Sequence, residues 1–213
     1  MRFAEENPPA SPSAEALAEA VAALRAGAVV VCPTETFYAL AVDSRSPAAI
    51  EKIFALKGRD AAKTIALIAA DAAMAFALAK EVPAIARRLA DKFWPGPLTL
   101  VIPARAELPA ALIGPDGGVG VRVSPHPIAR ALSDALGAPI TASSANLSGA
   151  PPADTLAPVR VAFGEKVKVM LDGGKLPGGA PSTLVACRRD GYEILRGGAI
   201  ASEAIAAALA NKV

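Results

Sequence analysis

The chain has 213 residues, of which 53% are apolar and 20% are charged, and its formal net charge is +2 at pH 7. This length suits one large domain or two small ones, and this composition excludes an intrinsically disordered chain. Because the net charge is so close to zero, non-specific nucleic-acid binding is an option for this protein and not a requirement.

Two cysteines and one histidine limit the chemistry that the chain can perform. Cys32, Cys187 and His126 have no metal-ligand spacing, so no protein-bound metal is expected. His126 lies between two prolines ahead of a helix pattern, and we interpret it as a turn residue at a helix start. Isolated cysteines are typical of a reducing compartment, and the N-terminus lacks a secretory signal pattern, so we predict a cytoplasmic protein. The longest apolar run, 65–79, is broken by an aspartate and does not predict a membrane span.

Helix and strand patterns alternate in the first half of the chain. Residues 13–27 predict a helix, and the apolar run 28–32 predicts a buried strand. A polar interruption at 33–40 precedes a second helix at 46–59. The remaining patterns up to residue 102 are a strand at 64–69, helices at 71–80 and 83–93, and a strand at 98–102.

The second half contains more strands than helices. After a loop-rich stretch at 103–118, the patterns are a strand at 119–123, a helix at 127–137, strands at 139–142, 167–171, 183–187 and 192–195, and a helix at 201–212. Because helices do not separate the strands evenly, we predict one α/β domain with a mixed sheet over 13–213, after an N-terminal extension at 1–12. The glycine- and proline-rich stretch at 173–182 is a candidate lid.

Basic residues cluster in LKGRDAAK at 56–63, where a helix pattern ends. Lys57 and Arg59 are two residues apart, so in an extended chain they project to the same side and suit an oligophosphate, with Lys63 nearby. The alternative is that they only complement the dipole of the helix C-terminus.

Hydroxyl and amide side chains cluster in TASSANLSG at 141–149, directly after a strand pattern. Ser144 and Asn146 are also two residues apart, and their neutral donors can bind phosphate or ribose oxygens. The alternative is an ordinary turn ahead of Pro151 and Pro152.

Three further candidate ligand-binding segments lie within or next to predicted strands. PTETFY at 33–38 follows the first strand pattern, and strand ends in α/β sheets are common ligand positions. Arg122 lies among valines and needs a partner, which is either a ligand carboxylate or an internal Asp or Glu. Arg196 precedes two glycines that allow close approach to a phosphate, or it marks a plain turn.

Seven motifs follow one another along the chain: PTETFYAL, LKGR, WPGPLT, VRVSPHP, SSANLSG, PST and LRGGAI. In this order they resemble those of the threonylcarbamoyl-AMP synthase family, which is also called YrdC-like. The resemblance runs from about residue 13 to residue 212 and matches the short, single-domain form. Lys-x-Arg at 57–59 and Ser-x-Asn at 144–146 are its most diagnostic parts. Departures from the family pattern occur at Ala39, Thr64, Ile68, Ser124 and Gly197.

The resemblance implies a twisted mixed sheet with flanking helices around a basic concave cavity. It implies a nucleotidyltransferase that makes L-threonylcarbamoyladenylate and pyrophosphate from L-threonine, bicarbonate and ATP. A separate transferase would use the product to modify tRNA. By position, ATP would be bound by Lys57, Arg59, Lys63, Ser144, Asn146 and Arg196, with Lys57 and Arg59 as the catalytic residues. Threonine would be bound by Thr34, Thr36, Tyr38 and Arg122.

The residues present suit this reaction, which needs no protein nucleophile and depends on positioning and charge neutralisation. Mg²⁺ would accompany ATP and would need few protein ligands. The main alternative is a non-catalytic RNA-binding module of the same fold, in which RNA binding would be weak because aromatic residues are few. A carbamoyl-transfer domain of hydrogenase maturation and an inactive paralogue are further alternatives.

Overall fold

The computed structural model describes residues 12–58 and 64–210. The described residues form seven α-helices, ten β-strands and a 3-10 turn at Ala110–Leu112. The helices are α1 (Ala14–Arg25), α2 (Pro47–Lys57), α3 (Ala72–Phe76), α4 (Ala84–Phe93), α5 (Pro127–Leu136), α6 (Leu156–Phe163) and α7 (Ser202–Ala210). The strands are β1 (Val30–Cys32), β2 (Ala39–Ala41), β3 (Leu67–Ala69), β4 (Leu98–Pro103), β5 (Gly118–Val123), β6 (Ile140–Thr141), β7 (Ser143–Ser144), β8 (Val169–Met170), β9 (Thr183–Cys187) and β10 (Tyr192–Arg196). The predicted extension at 1–12 lies almost entirely outside the described residues and stays a prediction.

Local sequence signals set both ends of α2. The Ser46 hydroxyl accepts a hydrogen bond from the Ala49 backbone N–H at 3.3 Å, and Pro47 occupies the first turn. At the other end, Gly58 has a φ of 57°, in the left-handed region that favours glycine. Lys57 is therefore the last residue of the helix, at the point where the chain changes direction.

The strands form two mixed sheets. The four-stranded sheet has the order β7-β2-β1-β8, and the six-stranded sheet has the order β10-β9-β4-β5-β3-β6. In the first sheet β1 is antiparallel to β2 and parallel to β8. In the second sheet β4 is antiparallel to β5 and parallel to β9. The mixed α/β class that the sequence predicts is confirmed, with the strands divided between two sheets.

Two clusters of buried apolar residues hold the helices against the sheets. The larger cluster joins residues of both sheets, such as Leu40 and Leu100, to Phe163 of α6. The smaller cluster packs α1 and α5 against β1, β2 and β6, and it includes Leu24 of α1 and Leu132 of α5. Each fully buried side chain of this size contributes roughly 1.5–3 kcal/mol through the hydrophobic effect. The sheets are thus held in a fixed relation before any ligand binds.

One short segment of chain passes from one sheet to the other. β6 ends at Thr141 in the six-stranded sheet, and after the single residue Ala142 the chain continues as β7 in the four-stranded sheet. Thr141 is fully buried, its backbone N–H donates to the Val42 carbonyl at 3.1 Å, and its hydroxyl accepts from the Val42 N–H at 2.9 Å. This crossing brings Ser144 to the space between the sheets.

Three features of the fold differ from the sequence expectations. Residues 39–41 form β2 and do not continue the polar interruption, because Leu40 is buried and pairs with Val31. The single strand expected at 139–142 is two strands in different sheets. Helix α6 was not predicted, because Pro158 in its first turn hides the helix pattern and no side chain caps its start.

Replacing Thr141 by valine tests the hydrogen bond at the crossing between the sheets. Valine keeps the shape of the side chain but leaves the buried Val42 N–H without its hydroxyl acceptor, so we expect the free energy of unfolding to fall by about 1–3 kcal/mol. Urea denaturation followed by circular dichroism measures this change. Thr141→Ser keeps the hydroxyl and should lose less stability. A valine variant as stable as the unaltered protein would contradict the role of this hydroxyl.

Candidate functional site

A cavity of about 620 Å³ lies between the two sheets. Residues of β2 and β7 line it from the four-stranded sheet, and residues of β4, β5, β9 and β10 line it from the six-stranded sheet. The charged residues among its described lining are Asp116, Arg122 and Arg196. A concave space with a few placed charged groups is the usual form of a small-molecule site.

Lys57, Ser144 and Asn146 converge, although two of them lie far from the first in the sequence. The Lys57 ammonium donates to the Ser144 carbonyl oxygen and lies 3.4 Å from both Ser144 Oγ and Asn146 Oδ1. Only 4% of Lys57 is exposed, so these oxygens replace the water that the ammonium loses on burial. The role of these three residues in ATP binding stays a prediction.

The segment that contains Asn146 is also a turn, which was the alternative interpretation. Asn146 Nδ2 donates to the Ala150 carbonyl at 2.6 Å, and the Ser148 N–H donates to the Lys57 carbonyl at 3.2 Å. Ser144 lines the described part of the cavity wall, whereas Lys57 and Asn146 do not. The turn therefore forms part of the cavity wall, and the hydrogen bonds of Lys57 and Asn146 stabilise it on the side away from the cavity.

The PTET loop at 33–36 is stabilised from inside by Thr34. The buried Thr34 hydroxyl donates to the Phe37 carbonyl at 2.7 Å and accepts from the Thr36 and Phe37 N–H groups at 3.3 Å. Thr36 is only partly buried and lies on the cavity wall. Thr34 thus sets the shape of the loop, and Thr36 is the more accessible of the two threonines.

Tyr38 joins the end of this loop to the chain at Asp172–Gly174. Its hydroxyl donates to the Gly174 carbonyl at 2.7 Å and accepts from the Gly173 N–H at 3.0 Å. Burial is the main cause that raises the pKa of Tyr38 to about 12; the Gly173 N–H opposes this rise and the nearby Asp172 adds to it. Tyr38 therefore remains neutral, and its ring forms part of the cavity wall.

The glycine-rich stretch at 173–182 runs close to the PTET loop. The Gly178 N–H donates to the Thr36 carbonyl at 2.9 Å. A Cβ atom at Gly173 would lie 2.6 Å from the Pro33 Cβ, so a larger residue does not fit there without a shift of the backbone. The action of this stretch as a lid stays a prediction. Its residues on the cavity wall are Gly179, Pro181 and Ser182.

Arg122 has an internal partner, which was one of the two options that the sequence left open. Its Nε atom donates to Glu35 Oε1 at 2.8 Å, and the two side chains are only 8% and 9% exposed. Arg122 also lines the cavity. The internal ion pair and the position on the wall are therefore compatible.

Arg196 lies at the end of β10, on the cavity wall. Its guanidinium donates to the Ser182 carbonyl at 2.8 Å and lies 3.3 Å from the Ser182 hydroxyl. Loss of hydration is the main cause that lowers the pKa of Arg196, and the positive charge of Arg122 lowers it further. Because the two guanidinium groups repel each other, an anion bound between them is favoured by both.

Arg59 and Lys63 lie outside the described residues, so their predicted contacts with ATP stay predictions. Within the described ranges 12–58 and 64–210, no group of three His, Cys, Asp or Glu residues could hold a metal ion. No helix in those same ranges is long and apolar enough to cross a membrane.

His126 is the residue before α5, as the sequence predicts. Its Nδ1 atom accepts a hydrogen bond from the Ile128 N–H at 3.3 Å. Its Nε2 atom is buried and has no hydrogen-bond partner among the described residues. Burial is the main cause that lowers the pKa of His126, and the negative charge of Glu35 opposes this shift. His126 is therefore a neutral capping residue.

Two pairs of polar residues at the site received no individual role from the sequence. The first pair is Glu35, which lies within the PTET motif, and Ser124, which is a departure from the family pattern. Thr99 and Ser182 also line the cavity, with their hydroxyl oxygens 2.8 Å apart. One feature of the sequence could have indicated the role of Glu35. It is an acidic residue in a predicted ligand loop, and Arg122 within a predicted strand needs a partner.

A comparison with known families decides what kind of protein carries this cavity. The family model Sua5_yciO_yrdC, described as telomere recombination, matches residues 22–198. This span includes the PTET loop, Lys57, the SSAN segment and Arg196. The chain belongs to the Sua5/YciO/YrdC family. The resemblance that the motifs showed is thereby confirmed.

Two curated relatives in the family are named threonylcarbamoyl-AMP synthase. The protein of Chromohalobacter salexigens is 41% identical over 172 residues, which cover 81% of this chain and 92% of the relative. The protein of Bacillus subtilis is 35% identical over 195 residues, which cover 91% of this chain and 56% of the relative. The chain thus spans nearly all of the first relative and little more than half of the second.

A solved member of the family gives the same result for the fold. The crystal structure of P. abyssi Sua5 complexed with L-threonine matches with a TM-score of 0.86 and 35% identity. The match covers 91% of this chain and 57% of the P. abyssi chain. Together with the names of the curated relatives, this result favours the enzymatic interpretation over the non-catalytic RNA-binding module.

The low pKa of His126 predicts how stability depends on pH. Because burial holds the folded-state pKa below the ordinary value of 6.5, the unfolded state binds more protons. We therefore expect the free energy of unfolding to be highest above pH 6.5 and to fall as the pH is lowered from about 7.5 to about 5.5.

His126→Asn is the matched control, since asparagine can also cap a helix and does not titrate in this range. Since the chain has one histidine, the variant should show a flatter stability profile. Urea denaturation at several pH values measures both proteins. An equally steep decline in the variant would show that other groups cause it.

Proposed function

We propose that the protein is a threonylcarbamoyl-AMP synthase, a nucleotidyltransferase that converts L-threonine, bicarbonate and ATP into threonylcarbamoyl-AMP and pyrophosphate. The observation that carries the proposal is the cavity between the sheets, where Arg122, Arg196 and the turn of Ser144 meet. The names of the relatives and the threonine complex of P. abyssi Sua5 support the choice of substrates.

The ATP half of the proposed site contains Ser144, Arg196 and the residues that support Ser144. Lys57 holds the Ser144 carbonyl, and Asn146 closes the turn, so the backbone around Ser144 is fixed before ATP binds. In the described part of the cavity wall, Arg196 supplies the positive charge of this half. Arg59 and Lys63 are proposed to add positive charge to the triphosphate.

The threonine half of the proposed site contains the PTET loop and Arg122. Arg122 would bind the carboxylate of threonine, since guanidinium and carboxylate groups form two parallel hydrogen bonds. Thr36 lies on the same wall and offers a hydroxyl to the small polar ligand, while Thr34 and Tyr38 keep the loop in shape.

The proposed chemistry depends on positioning and charge. The threonine amine and bicarbonate give a carbamate and water, one carbamate oxygen attacks the α-phosphorus of ATP, and the bond between the α-phosphorus and the pyrophosphate group breaks. The cations around the phosphates stabilise the charge that develops on the leaving group. Mg²⁺ is proposed to arrive with ATP. The described cavity wall offers the single carboxylate of Asp116, which fits an ion that is held mainly by phosphates and water.

The product is proposed to pass to a separate transferase that modifies tRNA. Weak direct binding of RNA by this protein is part of the same proposal. So is a cytoplasmic location, which is supported by Cys32 and Cys187, since both are buried and unpaired.

A product assay by mass spectrometry tests the proposed reaction. The complete mixture of L-threonine, bicarbonate and ATP should give threonylcarbamoyl-AMP and an equal amount of pyrophosphate. Omission of any one substrate should abolish both products. Pyrophosphate release that does not depend on threonine and bicarbonate would contradict the proposal.

Ser144→Ala separates the ATP site from a purely structural turn. The substitution removes the hydroxyl on the cavity wall but keeps the backbone carbonyl that binds Lys57, so the fold should be retained. We expect KM for ATP to rise by about tenfold to a hundredfold, which corresponds to the loss of one hydrogen bond to a charged group. KM for threonine should change by less than about twofold.

Ser148→Ala is the control for the turn, since Ser148 lies in the same segment and contacts the Lys57 carbonyl through its backbone N–H. This variant should leave both KM values unchanged. A fall in melting temperature for Ser144→Ala without a rise in KM for ATP would restore the interpretation of a turn alone.

A further inference from the structure

The Glu35 carboxylate is buried beside the cavity, and both of its oxygens are engaged. Oε1 accepts from Arg122 Nε at 2.8 Å, and Oε2 accepts from the Ser124 hydroxyl at 2.5 Å. The Ser124 oxygen in turn accepts from the His126 backbone N–H at 3.1 Å. Glu35 is thus held by Arg122 of β5 and by Ser124, which directly follows that strand, so its carboxylate has little freedom to move.

This contact leaves one edge of the Arg122 guanidinium unused. A guanidinium can bind a carboxylate along the edge that contains Nε or along the edge formed by its two terminal nitrogens. Glu35 occupies Nε, and within residues 12–58 and 64–210 no acceptor is seen for the terminal nitrogens. Since Arg122 lines the cavity, the terminal edge is the one that a ligand can use.

We propose that Glu35 is a positioning residue that orients Arg122 so that its terminal nitrogens receive the carboxylate of the amino-acid substrate. This inference rests on the proposed function, which assigns the threonine carboxylate to Arg122. Ser124 is the second member of the device, because its hydroxyl fixes the Glu35 oxygen that Arg122 does not use.

Charge gives Glu35 a second effect on the same site. Arg122 and Arg196 repel each other, and a buried arginine without a partner would be expensive to keep charged. The Glu35 carboxylate offsets this cost in the absence of substrate. Because it takes only Nε, it neutralises Arg122 without blocking the terminal edge.

Steady-state kinetics with Glu35→Ala, Glu35→Gln and Ser124→Ala test the proposal. Glu35→Ala should raise KM for threonine by about tenfold or more, while KM for ATP changes by less than about twofold. Glu35→Gln keeps an oxygen that accepts from Nε and should raise KM for threonine less. Ser124→Ala leaves the ion pair in place and should cause a smaller rise, of about twofold to fivefold.

A double-mutant cycle with Arg122→Gln separates positioning from general stability. If Glu35 acts through Arg122, then Glu35→Gln should raise KM for threonine in the unaltered background and cause no further rise in the Arg122→Gln background. The double variant removes both buried charges, so its melting temperature should be closer to that of the unaltered protein than that of Arg122→Gln alone. This variant and Ser124→Ala provide a result even if Glu35→Ala does not fold.

Each outcome of these experiments decides a different point. An unchanged KM for threonine in folded Glu35→Ala and Ser124→Ala would overturn the inference alone. Equal increases in both KM values, or additive effects in the cycle, would show that the pair is only structural. If the unaltered protein releases no pyrophosphate in response to threonine, the proposed function fails and the inference fails with it.

Discussion

Two buried cations determine how the cavity is built. The Lys57 ammonium and the Arg122 guanidinium are both less than a tenth exposed, and a charge that has lost its water needs oxygen partners. Lys57 finds them on the SSAN turn, and Arg122 finds them on Glu35 of the PTET loop. Each cation therefore fixes a loop that comes from a distant part of the sequence, and both loops form the wall of the same cavity.

The division of the strands into two sheets gives those loops their common location. The chain leaves the six-stranded sheet after Thr141 and enters the four-stranded sheet at Ser143, so the turn that follows lies between the sheets. The PTET loop connects β1 to β2 in the four-stranded sheet, and Arg122 and Arg196 belong to strands of the six-stranded sheet. A ligand in the cavity would contact both sheets, and its two halves would be held by different loops.

Several side chains stabilise the segments that form or adjoin the cavity wall. Asn146 closes a turn and supports the ammonium of Lys57. Tyr38 forms part of the wall while its hydroxyl holds the chain at Gly173 and Gly174. Glu35 neutralises Arg122 and leaves its terminal edge to the cavity. In each case the residue that stabilises the loop also sets the geometry that a substrate would meet.

The sequence by itself determined the mixed α/β class and most of the helices and strands, because periodicity, caps and glycine stops are local signals. It also marked Lys57, Ser144, Asn146 and Arg196, through short motifs that matched a known family. It did not reveal β2, β7 or α6, since strands of two or three residues and a helix with an early proline carry almost no local pattern. Only the tertiary structure identified Glu35 as the partner of Arg122, because residues 87 positions apart come into contact where a loop of one sheet meets a strand of the other sheet, and not through their spacing in the chain.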